Sequence, residues 1–264
     1  MKISPFFFPA VLAALVIVVL SAFSFRPASP QAPARRKAVV VELFTSEGCS
    51  SCPPADELLG RLRGVPSANG AEIIPLGFHV DYWNDLGWRD RFSSAAFTNR
   101  QATYAERFRL SGPYTPQMVV DGSQEFTGSD SPRAHEAILR AAAEPERAAV
   151  QLASAAPGKL AVRVKGLSES AAGQVILAVT EDNLATNVGA GENNGHVLRH
   201  AAVVREFRIL GQLKDGRFET ESALNAAKDW KLNDLRVVVF VQPAGRDAIE
   251  GASSIPWPSG TSGR

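Results

Sequence analysis

The hydrophobic pattern divides the chain into three textures. An uninterrupted apolar run, Phe6 to Phe25, comes first and is followed by the Pro/Ala-rich stretch from Arg26 to Lys37. Short apolar, β-branched runs then alternate with stretches of helical spacing. Ala38–Phe44 (AVVVELF) reads as a buried strand, Pro53–Leu62 as a helix, Glu72–Val80 (EIIPLGFHV) as a second strand and Ser94–Phe108 as a second helix. Tyr114–Gly122 reads as loop, short strand and turn, and Ser131–Ala143 as a third helix. Strand and helix in alternation predict an α/β layer with at least one parallel crossover. Beyond Glu144 the pattern shifts to alternating runs: Ala149–Ala153, Leu160–Val164, Val175–Thr180, Leu198–Phe207 and Arg236–Val241. Turn signals such as Pro157-Gly158, Asn193-Asn194-Gly195 and Asp215-Gly216 separate many of them, and one helical patch covers Glu221 to Trp230. This texture predicts an antiparallel β-sandwich of immunoglobulin-like kind. The expected partition is 1–36 as leader and linker, 37–144 as the α/β domain, 145–250 as the sandwich and 251–264 as a tail.

The leader sets the expected compartment. One lysine, Lys2, precedes the apolar run. The run is about 20 residues long, more than the roughly 7–15 of a cleaved signal peptide and close to what spans a bilayer. Small-x-small sites at Ala22-Phe23-Ser24 and Ala32-Pro33-Ala34 leave two readings open, cleaved export and an uncleaved membrane anchor. Either way the remaining chain is expected outside the cytoplasm, periplasmic or at the cell surface, where disulfides persist.

Composition removes several classes. The 264 residues hold 28 Lys+Arg against 27 Asp+Glu, with 45% hydrophobic content, so the chain is neither disordered in composition nor basic enough to predict a nucleic-acid partner. Two cysteines make no disulfide-dense scaffold and cannot alone close a four-ligand zinc site. His135, on a predicted surface helix, and His196 with His200, at i,i+4 in a region read as strand, lack partners of metal-site type and are read as solvated or core residues.

The two cysteines carry the chemistry. Cys49-Ser50-Ser51-Cys52 sits where a buried strand gives way to a helix. A crosslink over so short a loop removes on the order of 2 kcal/mol of unfolded-state entropy, so stability is a poor reason for it. A helix N-terminus lowers a thiol pKa through its free N–H groups and dipole. That position makes Cys49 the nucleophile and Cys52 the resolving thiol; metal capture and a structural pair remain alternatives.

VVVELFTSEGCSSC, taken with YTPQMVVDG, resembles a thioredoxin-like fold over residues 37–144. The resemblance implies a cis peptide at Thr115-Pro116 beside the dithiol, with the Thr115 backbone offered to substrate. It also implies a buried acid on the preceding strand as proton relay, a role that falls to Glu42 with a raised pKa, although the loop to Cys49 is one residue longer than in thioredoxin itself. The set FTSEGCSSCPPAD, HVDYWNDLGWRDRF, TNRQATYA and YTPQMVVDG is similar to the DUF1223 family of exported thioredoxin-like proteins, whose function is undefined. His79, Asp81, Tyr82 and Trp83 follow the second strand, which in a parallel layer ends at the dithiol edge, and are expected to wall the cleft; the alternative is that Trp83 and Trp88 are packing residues. The resulting expectation is an exported thiol–disulfide oxidoreductase that needs no cofactor and takes a protein or small thiol/disulfide substrate. The alternatives are a Cu(I) metallochaperone or assembly factor, with His79 or Met118 as further ligand, and a non-catalytic binding module.

Overall fold

The computed structural model describes Met1 and residues 37–64, 70–243 and 248–259. The expected export or anchor segment therefore lies outside the described residues, and among these no helix is long and apolar enough to cross a membrane. The described residues from Lys37 onward form one compact unit. Its first half runs β1 (Ala38–Thr45), α1 (Pro53–Leu62), β2 (Glu72–His79), α2 (Ala95–Arg107), β3 (Gln117–Val120), β4 (Gln124–Thr127) and α3 (Ser131–Ala143). The second half is β5 (Ala149–Ala156), β6 (Lys159–Lys165), β7 (Gly173–Glu181), β8 (Leu184–Asn187), β9 (Val197–His200), β10 (Val203–Gln212), β11 (Phe218–Ala223), β12 (Leu235–Pro243) and β13 (Gly251–Pro256).

The helix ends follow from local chemistry. Pro53 and Pro54 open α1, where a missing N–H costs nothing, and Asp56 lies in its first turn. The Ser94 hydroxyl accepts the Ala96 N–H to cap α2, and Asp130 accepts the Arg133 N–H to cap α3.

The fold is mixed α/β, built on one eight-stranded sheet in the order β13-β12-β7-β10-β2-β1-β3-β4. β1 and β2 are parallel from Ala38↔Glu72 to Thr45↔His79, so the crossover through α1 brings both strands to the same edge. β2 touches β10 at one point, Val203↔Gly77, where the Gly77 N–H reaches the Ala202 carbonyl. A Cβ on Gly77 would lie 3.4 Å from the carbonyl oxygens of Ala201 and Ala202. Because β10 diverges from that point, Pro75 sits where its missing N–H faces no neighbouring strand.

Side-chain alternation gives the sheet two distinct faces. Val40 and Phe44 of β1 share a core with Leu76, Phe78, Tyr104 of α2, Ile176, Val238 and Phe240. Val39, Val41 and Leu43 face the other way, onto α1 and α3. Farther along that second face, Val175, Leu177 and Val179 of β7 and Val237, Val239 and Val241 of β12 pack on Val150, Leu160 and Val162 of a three-stranded sheet, β11-β6-β5.

This packing revises the expected organisation. A two-layer β region is present, but its larger layer continues the sheet begun by β1 and β2, so 37–144 and 145–250 are not separate bodies. One apolar face of β7, β10 and β12 extends the first half's core, and the other face of β7 and β12 closes on the three-stranded sheet. Residues 251–256 are not tail: β13 pairs with β12 from Arg236↔Pro256 to Val241↔Gly251. The helical patch at Glu221–Trp230 is replaced by the end of β11 and a turn, because the ladder with β6 satisfies its first residues' backbone. Leu198–Phe207 is broken at Ala201-Ala202, with Ala202 at φ 53°, into β9 and β10.

Candidate functional site

The site is built at the C-terminal edge of β1. After Thr45 the chain turns through Ser46, Glu47 and Gly48, the Cys49 N–H donates to the Ser46 carbonyl, and Cys52 becomes the N-cap of α1. Cys49 and Cys52 are joined as a disulfide with Cα atoms 5.4 Å apart. Both are fully buried, at 0% exposure, whereas Ser50 and Ser51 between them are exposed.

What covers the disulfide comes from the second half of the chain. The loop between β8 and β9 lays Asn193 against the cysteine turn. The Asn193 Nδ2 group donates to the carbonyls of Glu47, at 2.8 Å, and of Cys49, at 3.1 Å. The neighbouring Glu192 carboxylate accepts the Ser50 N–H at 3.0 Å, and hydrogen bonds from the Ser50 side chain first and its N–H second hold its pKa below the ordinary value. Trp88 sits beneath this loop: a Cβ on Gly191 would lie 3.1 Å from Trp88 Cβ, and the indole N–H donates to Glu47 Oε2 at 2.8 Å.

Trp83 ties the cysteine turn to the proline loop. Its Cβ would stand 3.0 Å from a Cβ on Gly48, and its indole N–H donates to Thr115 Oγ1 at 2.9 Å. The Thr115-Pro116 peptide is cis. A Cβ on Gly128 would lie 2.7 Å from Leu43 Cδ1, 3.1 Å from Pro116 Cβ and 3.2 Å from Ala55 Cβ, so this glycine is required by close approach of β1, α1 and the proline. Asp81 binds α2 through the Thr98 hydroxyl, while the Tyr82 hydroxyl donates to Gln101 Oε1 at 3.2 Å and its side chain also bonds Thr115 of the proline loop. Tyr82 is 38% exposed.

Behind the disulfide lies a buried polar network. His79 Nδ1–H donates to Asp90 Oδ2 at 2.6 Å, and the same oxygen accepts the Glu47 N–H. His200 Nε2–H donates to Glu47 Oε1 at 3.1 Å. The two imidazoles meet edge to face with centroids 5.0 Å apart, and Phe92 closes over both. Burial disfavours the His79 cation, but the Asp90 carboxylate outweighs it and the pKa is raised. Burial likewise pushes Asp90 and Glu47 up, but the charge and then the hydrogen bond of His79 at Asp90, and chiefly the hydrogen bond of His200 at Glu47, bring both below the ordinary range. Asp56 behaves oppositely. Burial pushes its carboxyl up to about 6, against the charges of His200 and His79 and the Thr45 hydroxyl bond, which oppose the rise.

Glu42 is not part of this arrangement. Alternation turns it, with Val40 and Phe44, to the α2 face, away from α1 and the cysteines. There its carboxylate takes both Nε and Nη2 of Arg100 and the Tyr104 hydroxyl. The position facing α1 is filled by Leu43. Glu42 therefore stands on the face of β1 opposite α1, which does not suit a relay to Cys52.

Several site residues carried weak sequence signals. Glu47 and Asp56 flank the cysteines, and Asp56 stands one helical turn after Cys52. Asp90 lies in the aromatic segment, whereas His200, Glu192 and Asn193 are remote in the chain and no local pattern points to them. His196 and His135 are exposed. Among the described residues no group of three or more His, Cys, Asp or Glu could hold a metal ion.

The fold and site together define a mixed α/β protein carrying a C-x-x-C disulfide at a strand-to-helix junction. The chain belongs to the DUF1223 family, described as proteins of unknown function, whose model matches residues 40–242. It is similar to protein AGR_C_4864 of Agrobacterium tumefaciens, at 26% identity and a TM-score of 0.65, over 88% of this chain and 98% of that one. HBP35 of Porphyromonas gingivalis is similar in fold, at 18% identity and a TM-score of 0.62, over 87% of this chain and 78% of that one. No curated protein matches the sequence.

Proposed function

We propose that this protein is a thioredoxin-like thiol–disulfide oxidoreductase of an exported compartment. The observation that carries the reading is the Cys49–Cys52 disulfide at the α1 N-terminus, tied by Trp83 to the cis Thr115-Pro116 loop. Free N–H groups at a helix start favour thiolate on Cys49, the form that exchanges. As a reductant, the Cys49 thiolate attacks a substrate disulfide and displaces one substrate thiolate. Cys52 then attacks Cys49 Sγ, re-forming the protein disulfide and releasing the second substrate thiolate. Two electrons pass from protein dithiol to substrate, and an external dithiol restores the reduced pair; as an oxidant the protein runs the same steps in reverse. Since Asn193 and Glu192 cover the closed disulfide, exchange with a partner requires that loop to move aside.

The leader, with Lys2 before an apolar run, supports placement outside the cytoplasm, with residues 6–25 as signal or anchor. A Cu(I) carrier is less well supported: the His79 Nδ1 position is occupied by Asp90, and Met118 is buried in the α1/α3 core.

The test is exchange against glutathione redox buffers, with insulin reduction as a turnover assay. The reading expects a defined reduction potential, insulin reduction abolished by Cys49→Ser, and a mixed disulfide trapped on Cys49 in Cys52→Ser. A dithiol that exchanges with neither glutathione nor insulin overturns it.

A further inference from the structure

Resolution of the mixed disulfide requires Cys52, a fully buried thiol, to lose its proton away from bulk water. The strand acid expected for that task points elsewhere, so some other group must take the proton. Cys52 already has helical backbone angles, φ −79° and ψ −35°, so Asp56, four residues on, stands on the same face of α1. Side chains at that spacing have Cβ atoms about 5–6 Å apart. The Asp56 N–H bonds back to the Cys52 carbonyl, and its carboxylate accepts the Thr45 hydroxyl from the end of β1, which holds it toward the sheet edge.

Resting on the oxidoreductase reading, we propose that Asp56 is the proton acceptor for Cys52, and that the His200–Glu47 pair, supplied by the second half of the chain, sets the pH at which it works. The step balances: Cys52–SH gives its proton to the Asp56 carboxylate, Cys52 thiolate attacks Cys49 Sγ in the mixed disulfide, and the bound thiolate leaves. Asp56 then returns the proton to solvent.

The groups that act on Asp56 come from every element around it. His79 on β2 and His200 on β9 stabilise its anion, Thr45 on β1 donates to it, and Asp90 in the segment before α2 opposes its ionisation. Glu47 is one hydrogen bond further, through His200. The balance leaves Asp56 near 6, so at neutral pH it is ready to accept a proton and at pH 5 it is not.

The full chain, reduced, is mixed with 5,5′-dithiobis(2-nitrobenzoate) and thionitrobenzoate release is followed by stopped flow from pH 5 to 9. The first release reports attack by Cys49 and the second reports resolution by Cys52. The wild type is expected to show a second phase that rises with pH through an inflection in the region of Asp56 titration. Asp56→Asn should slow that phase at pH 7.5 by at least about tenfold and erase the inflection, with the first phase changed less than about twofold. Asp56→Glu should restore part of the rate. His200→Gln, by removing a charge that lowers Asp56, should move the inflection to higher pH, and Thr45→Val should do the same by a route independent of Asp56 folding effects. A second phase with wild-type rate and pH profile in Asp56→Asn overturns the proposal alone. Absence of both phases in the wild type overturns the oxidoreductase reading instead.

Discussion

Asn193→Ala isolates the contact that seals the disulfide. The Asn193 side chain is buried, at 5% exposure, and donates two hydrogen bonds to backbone carbonyls of the cysteine turn, at 2.8 Å to Glu47 and 3.1 Å to Cys49. Each such bond contributes about 0.5–1.5 kcal/mol net, so losing both costs the closed state about 1–3 kcal/mol. At 1.4 kcal/mol per factor of ten, the open fraction should rise about 5- to 150-fold. If exchange proceeds only from the open state, the second-order rate of disulfide reduction by dithiothreitol rises by the same factor. The assay quenches timed aliquots with an alkylating reagent and counts modified cysteines by mass, at a fixed pH and with thermal stability measured in parallel. Asn193→Asp keeps the size and loses the donor, so it should accelerate reduction as well. An acceleration below about twofold in both variants refutes the argument that this loop governs access to Cys49.

Glu42→Gln should destabilise the fold by about 3–5 kcal/mol in urea melts, because it strands the buried Arg100 guanidinium, yet leave the resolution rate of the folded fraction unchanged; a selective loss of exchange would restore Glu42 to the relay. Asp90→Asn should cost a similar amount, about 3–5 kcal/mol, by leaving His79 unpaired in the core. His79 is raised above 6.5, so its contribution is full below that pH and is lost as pH climbs through the folded value; Asp90 is lowered below 3.8, so its contribution is full above that pH and is lost as pH falls through the folded value. The stability gap between wild type and variant should therefore be widest between pH 4 and 6.5, and a flat gap from pH 4 to 9 would contradict the pairing. Gly128→Ala forces a methyl to within 2.7 Å of Leu43 Cδ1 and should cost about 1–3 kcal/mol in denaturant melts.

The local elements were legible because their causes are local. Prolines and an acid start α1, a serine caps α2, an aspartate caps α3, and β1 and β2 show as apolar runs bounded by polar breaks. The cysteine pair at the strand-to-helix junction was legible for the same reason. Face was harder to read, since one residue more or less in a strand reverses which side a chain points to. That single register step separates Glu42, paired with Arg100, from a position beside α1.

By itself the sequence determined that a cysteine pair stands at a helix start, that an uninterrupted apolar run, Phe6 to Phe25, precedes the first strand, and that the family is DUF1223. The tertiary structure alone decided that the second half extends the first half's sheet, because strand order depends on which apolar edges meet and not on the pattern within any strand. It also decided what gathers around the cysteine turn: Asn193 and Glu192 bond its backbone, and Glu47 at its start takes His200 from β9. Residues separated by some 150 positions can share one hydrogen bond once the chain is folded, and no periodicity in the sequence records that contact.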